Sequence, residues 1–133
     1  MKKFRIIALL GFFALMFSGC TKDLGELIVG TWDVDKITYE TYVAGELIES
    51  EQDLNVGQIT FKSGGAGFWV EGEDSEDITW SSEGENLTII TNDGTISLKM
   101  TTMESDKMVG EFVETVTAFG ITSTFKMKIY LSK

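Results

Sequence analysis

The sequence predicts an all-β fold, an antiparallel up-and-down barrel of about eight strands, preceded by an N-terminal hydrophobic helix. From Leu27 onward, apolar residues alternate with polar ones in short runs, which is the period of a β-strand. The 133 residues include 14 glycines and no proline, and turn-forming residues separate the runs. Because the connections are short, the strands should form a meander, and closing it into a barrel removes its two free edges.

The first 19 residues have the pattern of a signal-peptide helix. A basic segment over residues 2–5 precedes an apolar stretch over 6–17, and two small residues then lead to Cys20. The apolar stretch is shorter than the roughly 20 residues that a helix needs to cross a bilayer. We therefore expect a cleaved signal peptide, with a transmembrane anchor as the alternative.

Phe17-Ser-Gly-Cys20 resembles the lipobox of bacterial lipoproteins, although the usual first residue is leucine. The resemblance implies that Cys20 is acylated, as with palmitate, and becomes the new N-terminus. Cys20 is also the only cysteine, so no intramolecular disulfide is possible. The expected organisation is a signal peptide over 1–19, an acylated polar tether over 20–26 that buries nothing, and a barrel domain over 27–133. An unmodified Cys20 is the alternative.

The lipobox resemblance also implies a location. The lipid chains would attach the protein to a membrane, and Thr21 after the cysteine fits transfer to the outer membrane by the sorting rule of such lipoproteins. We therefore expect an outer-membrane lipoprotein that faces either the periplasm or the cell surface.

The charge of the chain excludes one class of partner. The precursor has a formal charge of −10, from 11 basic and 21 acidic residues. Three of the basic residues and none of the acidic ones precede Cys20, so removal of the signal peptide changes the charge to −13. A surface of this sign repels phosphate backbones, and nucleic acid is not an expected partner.

The absence of histidine limits the chemistry. With no histidine and one cysteine, the chain lacks the usual imidazole base, the Ser-His and Cys-His pairs and the common zinc ligands. We expect no cofactor and no enzymatic activity, apart from the remaining possibility of carboxylate-based chemistry.

The first predicted strand covers residues 31–43 and places Trp32 and Val34 on one face. The apolar series then shifts by one residue, so that Ile37 is out of step with Val34. A β-bulge near Asp35-Lys36 would restore the facing.

After a turn at 44–45, we expect a short strand over 46–50 and a polar loop through Asn55. Hairpins should follow in series, and the strand count is therefore eight or nine. The remaining predicted strands, in chain order, cover residues 58–62, 68–70, 78–81, 86–91, 95–102, 107–118 and 121–131.

The orientation of two segments matters for function. Phe68 and Val70 are expected to face the interior, which leaves Trp69 outside as a surface-contact residue together with Tyr39 and Tyr130.

The segment 71–77 is the densest acidic stretch. It could bind calcium, but it lacks the ligand order of an EF-hand loop, and a solvated hairpin loop is favoured.

Several short motifs together resemble the lipocalin-like domains of small bacterial lipoproteins. They are Gly30-x-Trp32, Ile59-Thr-Phe61 before a glycine-rich hairpin, Trp80, Leu87-Thr-Ile89 and Asn92-Asp-Gly94. The similarity extends over residues 27–131. It implies a barrel whose open end binds a small apolar or amphipathic ligand.

The same resemblance implies a role for the first tryptophan. In lipocalins, the tryptophan of the Gly-x-Trp motif closes one end of the barrel, commonly beside a basic residue from the last strand. No arginine follows Arg5, so Lys126 or Lys128 would have to take that place, yet both are expected to face outward.

The candidate ligand-binding residues are large or polar side chains on the predicted inner face. They are Trp32, Phe61, Phe68, Trp80, Met108, Phe112, Glu114, Ser123 and Phe125. An eight-stranded barrel is just wide enough either to pack solid or to hold one small ligand, and the sequence leaves both open.

Glu114 is the one acidic residue among these candidates. The alternation of Met108 and Phe112 would carry it inward, where an unpaired carboxylate is costly and suggests a ligand contact. A bulge at Phe112-Val113 would return it to solvent, and this is the favoured interpretation.

Two functions remain after these exclusions. The first is a lipid-anchored, monomeric lipocalin-like protein with a small hydrophobic ligand. The alternative is a non-enzymatic surface module with a solid barrel that contacts a protein or a glycan.

Overall fold

The computed structural model describes residues 23–133. The predicted signal peptide, the predicted acylation site Cys20 and the two residues after it lie outside the described residues. No helix within this described part is long and apolar enough to cross a membrane.

The described chain forms one short helix and an eight-stranded closed barrel. Each strand pairs antiparallel with the next, and β1 pairs with β8 to close the sheet. The predicted up-and-down barrel is therefore confirmed. The elements are α1 (Leu24–Leu27), β1 (Gly30–Val43), β2 (Glu46–Phe61), β3 (Ala66–Glu71), β4 (Asp74–Glu83), β5 (Asn86–Thr91), β6 (Gly94–Met103), β7 (Lys107–Ala118) and β8 (Ile121–Ser132).

The predicted bulge in β1 is also confirmed. Val34 lies opposite Leu131 of β8, and Lys36 lies opposite the adjacent Tyr130, so Asp35 is the extra residue. Because of this bulge, Ile37 faces the interior like Val34 and is 7% exposed.

Strand β2 differs from its prediction. The short strand, the polar loop and the next strand form one element of 16 residues, which pairs with β1 along its length. The exposed half of this strand contains few apolar residues because its inner face borders an open cavity rather than a packed core. Residues 46–55 therefore lack the alternation that marks a half-buried strand. This merger gives eight strands rather than nine.

The predicted facing of β3 was wrong. The strand begins at Ala66, and Gly67 lies opposite the buried Phe61. Trp69 therefore lies opposite the buried Ile59 and packs against the core, whereas Phe68 faces outward under the ammonium of Lys62. A Cβ on Gly67 would lie 2.2 Å from a backbone oxygen of β2, so this inward position requires glycine. An inward glycine has no hydrophobic signal, which explains the error.

The acidic segment 71–77 is not a loop. Residues 72–73 form a tight turn, Glu71 ends β3, and Asp74 begins β4 directly opposite it. The other acidic residues of the segment belong to a paired strand, so their side chains alternate between the two faces of the barrel.

Helix α1 lies before β1 and packs on the barrel. Leu24 is 2% exposed, and Ile28 directly after the helix is fully buried. The expectation that residues 20–26 bury nothing was therefore wrong at Leu24. A single leucine in a polar segment gives no periodicity from which to predict burial.

The hydrophobic core occupies one end of the barrel. This closed end contains Trp32 and the side chains around it. The opposite, open end is bounded by the four turns at 44–45, 72–73, 92–93 and 119–120. The long hairpins β1–β2 and β7–β8 extend beyond the shorter hairpins there. Large apolar residues that are fully buried are Trp32, Phe61, Ile28, Ile59, Leu87, Met108 and Val34.

Candidate functional site

Trp32 seals the closed end of the barrel. Its side chain is fully buried, and its indole Nε1 donates a hydrogen bond of 2.7 Å to the carbonyl oxygen of Ile28. The ammonium of Lys133 lies 4.5 Å from the centre of the Trp32 ring and donates to the carbonyl of Val29 at 3.3 Å. These contacts join the two ends of the described chain at one plug.

The basic partner of Trp32 is therefore Lys133, which directly follows β8. It is neither of the two predicted lysines. Lys126 lies over the ring of Tyr42, and Lys128 lies 3.8 Å from the carboxylate of Glu111. Both lysines lie on the outer face of the barrel, as the sequence predicted.

Four of the predicted ligand-binding residues lie in or beside the packed core of the closed end. Trp32, Phe61 and Met108 are at most 1% exposed. Trp80 meets Phe61 edge to face at 5.6 Å, and its indole donates to two carbonyls of the 62–66 turn. These side chains fill the interior and leave no space for a ligand among them.

Above this core, three aromatic residues form a layer across one wall. Phe125 lies 6.4 Å from Phe112 and 6.3 Å from Tyr39, measured between ring centres. Phe112 and Tyr39 also pack against the core below. The layer lies between the solid half of the barrel and its open half. Tyr39 was expected to face outward, but it faces inward.

Two cavities lie at the open end. The larger, of about 620 Å³, is bounded by the β3–β4 and β5–β6 hairpins, with Trp69 and Ile96 as its apolar wall. The smaller, of about 360 Å³, is lined by Tyr39 and Phe125 and by residues of β2. The larger volume falls in the range of small-molecule sites in proteins.

Glu114 and Ser123 also lie on the inner face of the open half. The β7–β8 pairing has no register shift, and Glu114 lies directly opposite Phe125. The favoured bulge at Phe112-Val113 was therefore wrong. Glu114 is nevertheless exposed, because its part of the hairpin extends beyond the core. Ser123 is half-buried near the start of β8.

Carboxylates are present in the walls of both cavities. Residues directly opposite each other in a sheet share a face, and this places Glu51 on the inner face with its partner Tyr39, and Glu76 with its partner Trp69. The acidic residues that line the two cavities are Glu49, Glu51, Asp53, Glu71, Asp74, Glu76 and Asp93.

The Tyr39 hydroxyl is influenced by carboxylates of two strands, β2 and β3. Burial raises the pKa of the Tyr39 hydroxyl, and Asp53 raises it further by its charge and by accepting the hydroxyl's hydrogen bond. The charges of Glu71 on β3 and Glu51 on β2 also raise the Tyr39 pKa. Acidic groups from both cavities therefore act on one phenol.

A comparison with protein families now identifies the fold. Residues 28–110 match the family model described as a lipocalin-like domain. The chain belongs to the lipocalin-like domain family. The match includes the Trp32 motif, strands β1 to β6 and the first residues of β7. Neither the curated proteins nor the solved structures searched gave a significant match.

Several residues that line the cavities of this lipocalin-like barrel lie elsewhere than the sequence predicted. Trp69 was expected outside, and Glu51, Asp53, Asp74 and Glu76 were expected in loops. One signal was available for β2: acids at positions 49, 51 and 53 recur with the period of a strand, although they are not apolar.

The acidic groups of this lipocalin-like barrel are distributed around the walls. Within residues 23–133, no group of three or more acidic or other ligating side chains is arranged to hold a metal ion. The geometry provides a concave surface with apolar and aromatic areas and a negatively charged rim.

Proposed function

We propose that the protein is a lipid-anchored, extracytoplasmic lipocalin-like protein that binds a small amphipathic ligand at the open end of its barrel. The observation that supports this most directly is the cavity of about 620 Å³ beside Trp69. Trp69 in its wall is half-buried, so the cavity offers an aromatic surface to a ligand. The family membership fits the same function.

The cavity combines the two kinds of surface that an amphipathic molecule needs. Trp69 and Ile96 offer apolar contact, while the carboxylates and the turn at 92–93 offer polar contact. The indole Nε1 of Trp69 donates to the carboxylate of Glu71 at 2.9 Å, which orients the ring at the wall. Burial of apolar ligand surface at about 25 cal/mol per Å² would supply the affinity.

Ligand binding can be tested with the mature chain carrying Cys20→Ser. The test is a titration with N-phenyl-1-naphthylamine, an uncharged fluorescent probe whose emission rises in an apolar site. We expect saturable binding, and we expect Trp69→Ala to weaken it because the apolar wall is lost. Phe68→Ala is the matched control, since Phe68 is the adjacent residue on the outer face.

The absence of saturable binding would contradict the proposal and favour the alternative of a surface module that contacts a protein or a glycan. Equal loss of binding in the Trp69 and Phe68 variants would place the probe on the outside of the barrel.

We also propose that the anchor is an acylated Cys20 and that the protein is located at the outer membrane. The lipobox-like sequence before Cys20 supports this part. The expected result for Cys20→Ala in cells is loss of lipid labelling and release from the membrane fraction. Unchanged membrane association of that variant would contradict the anchor.

A further inference from the structure

The open half of the barrel has an interior of one charge sign. In the part of the chain that the structure describes, every ionisable acid or base that lines the two cavities is acidic, except for the phenol of Tyr39. Glu114, which lies opposite the cavity residue Phe125, adds another carboxylate to the same face.

The lysines of the described chain lie elsewhere. Three of them lie on the outer face against Tyr130, Tyr42 and Glu111, respectively: Lys36, Lys126 and Lys128. Two lie at the closed end, over Phe68 and Trp32: Lys62 and Lys133. Lys99 alternates with the buried Leu98 and Met100 and so faces outward, and Lys107 begins β7 at the closed end. None of these seven ammonium groups neutralises the cavity walls.

Aromatic surface lies within the same acidic region. Tyr39 and Phe125 line the smaller cavity together with Glu51, and Trp69 lines the larger one together with Glu71. Aromatic faces attract ammonium and guanidinium groups and also pack against alkyl chains. The site is therefore defined by a cavity with an aromatic wall, and the carboxylates determine the charge that it accepts.

The arrangement fits an organic cation better than a metal ion. A hard cation such as Ca²⁺ needs six to eight oxygen ligands at one point. These carboxylates are instead spread over strands β2, β3, β4 and β7 and the turn at 92–93, and they do not converge. A field of one sign in a cleft with low-dielectric walls attracts a diffuse positive charge over a distance.

On the basis of the proposed ligand-binding function, we infer that the ligand is a cationic amphiphile, with an amine, quaternary ammonium or guanidinium head and an apolar tail. The head lies among the carboxylates of the open end. The tail packs against Trp69, Ile96 and the aromatic layer below.

Three amphiphiles with the same dodecyl tail test this inference: dodecyltrimethylammonium, dodecyl sulfate and dodecyl maltoside. Each is titrated below its micelle concentration into the mature Cys20→Ser chain, and binding is followed by calorimetry and by tryptophan fluorescence. We expect the cation to bind at least roughly tenfold more tightly than the other two at low ionic strength. Added NaCl should reduce that preference by screening.

Paired variants separate the cavity from the general negative charge of the surface. Glu51→Gln with Asp74→Asn removes two charges from the cavity walls. The control, Asp77→Asn with Glu83→Gln, removes two exposed charges from the outer face of β4. The first pair should weaken binding of the cation roughly three- to tenfold and leave the maltoside unchanged. The control pair should change neither.

The possible outcomes distinguish the two proposals. Binding of all three amphiphiles with equal affinity would overturn the inference about charge and leave the proposed function in place. Binding of none would overturn the proposed function itself. Equal weakening by the two variant pairs would assign the preference to the overall surface charge, which also overturns the inference. Circular dichroism of each variant verifies that the barrel is folded.

Discussion

Trp32 is held at the closed end by contacts from both ends of the described chain. Its indole N–H is satisfied by Ile28, and its ring is covered by the ammonium of Lys133. A buried Trp N–H without a partner would be costly, so the short segment before β1 is part of the plug. Lys133, which follows strand β8, is therefore the basic partner of Trp32.

Replacing Lys133 by methionine tests that contact. The cation over the ring and the hydrogen bond to Val29 are lost, and we expect a loss of about 0.5–1 kcal/mol in the free energy of unfolding. Urea unfolding followed by tryptophan fluorescence measures it. Lys107→Met is the matched control, because Lys107 lies at the same end and is exposed. If both substitutions lower the free energy of unfolding by the same amount, Lys133 contributes only its positive charge and no specific contact with Trp32.

Tyr39 provides a titration probe inside the acidic interior. Its pKa is raised, chiefly by burial and then by Asp53, so the folded state favours the neutral phenol. The unfolded chain ionises at lower pH and binds fewer protons above about pH 10. The contribution of Tyr39 to stability is therefore complete below that pH and is lost as the pH rises through the folded-state pKa.

The expected effect of Asp53→Asn is a lower Tyr39 pKa, because the charge is removed. Carbon-13 NMR of the tyrosine ring across the alkaline range measures it, with Tyr39→Phe used for assignment. Asp77→Asn on the outer face should leave the Tyr39 resonance unchanged. A Tyr39 pKa that does not respond to Asp53→Asn would place that carboxylate away from the phenol.

Helix α1 extends the folded domain towards the N-terminus. It has only four residues and would not be stable alone, so its packing on the barrel holds it in place. Leu24 is the residue that joins the core.

Leu24→Ala should destabilise the protein by about 2–3 kcal/mol, since a buried leucine is truncated and a cavity remains. Leu54→Ala is the control: Leu54 is 60% exposed, and its truncation should cost less than about 0.5 kcal/mol. Chemical denaturation compares the two variants. If both cost the same small amount, residues 23–27 would act as a tether that does not stabilise the barrel.

The strands show which parts of the fold the sequence could predict. The bulge at Asp35 and the turns at 44–45 and 92–93 follow from local chemistry, and the structure confirms them. The facing of β3 depends on Gly67, which has no side chain to mark the inside. The inner face of β2 at the open end is acidic, so hydrophobic alternation could not identify it.

The polar character of the inner face at the open end also explains why the candidate site was only partly predicted. Predicting ligand contacts from large apolar residues selected Trp32, Phe61 and Met108, which are the best-packed side chains of the closed end. The cavities are lined in large part by acidic and other polar residues, which hydrophobic patterning does not mark, although the predicted candidate Phe125 does line the smaller one. Tyr39, Phe112 and Phe125 form the layer between these two regions.

The two halves of the barrel differ in how they are filled. The closed half is packed with buried apolar side chains, and the open half has carboxylates around two cavities. Helix α1 precedes β1 at the closed end. If Cys20 is acylated as proposed, only three residues connect the anchor to α1, and the membrane lies near the closed end while the acidic cavities face away from it.

An interior of like charges should make the protein more stable as salt is added. Carboxylates that repel one another without a cation destabilise the folded state, and ions screen that repulsion. We expect the Tm at neutral pH to rise by a few degrees between about 10 mM and 300 mM NaCl. Glu51→Gln with Asp74→Asn should raise the Tm at low salt and flatten its salt dependence, because the repulsion is then smaller.

The outer-face pair Asp77→Asn with Glu83→Gln removes the same number of charges from side chains that point away from the cavities and so lie farther from the other cavity carboxylates. This control should therefore change the Tm at low salt much less. A matching shift in both pairs would mean that the net charge of the chain, rather than the acidic interior, determines its response to salt. If Glu51→Gln with Asp74→Asn stabilises the barrel and also weakens the dodecyltrimethylammonium complex, the same two carboxylates lower the stability of the free protein and favour the binding of a cation.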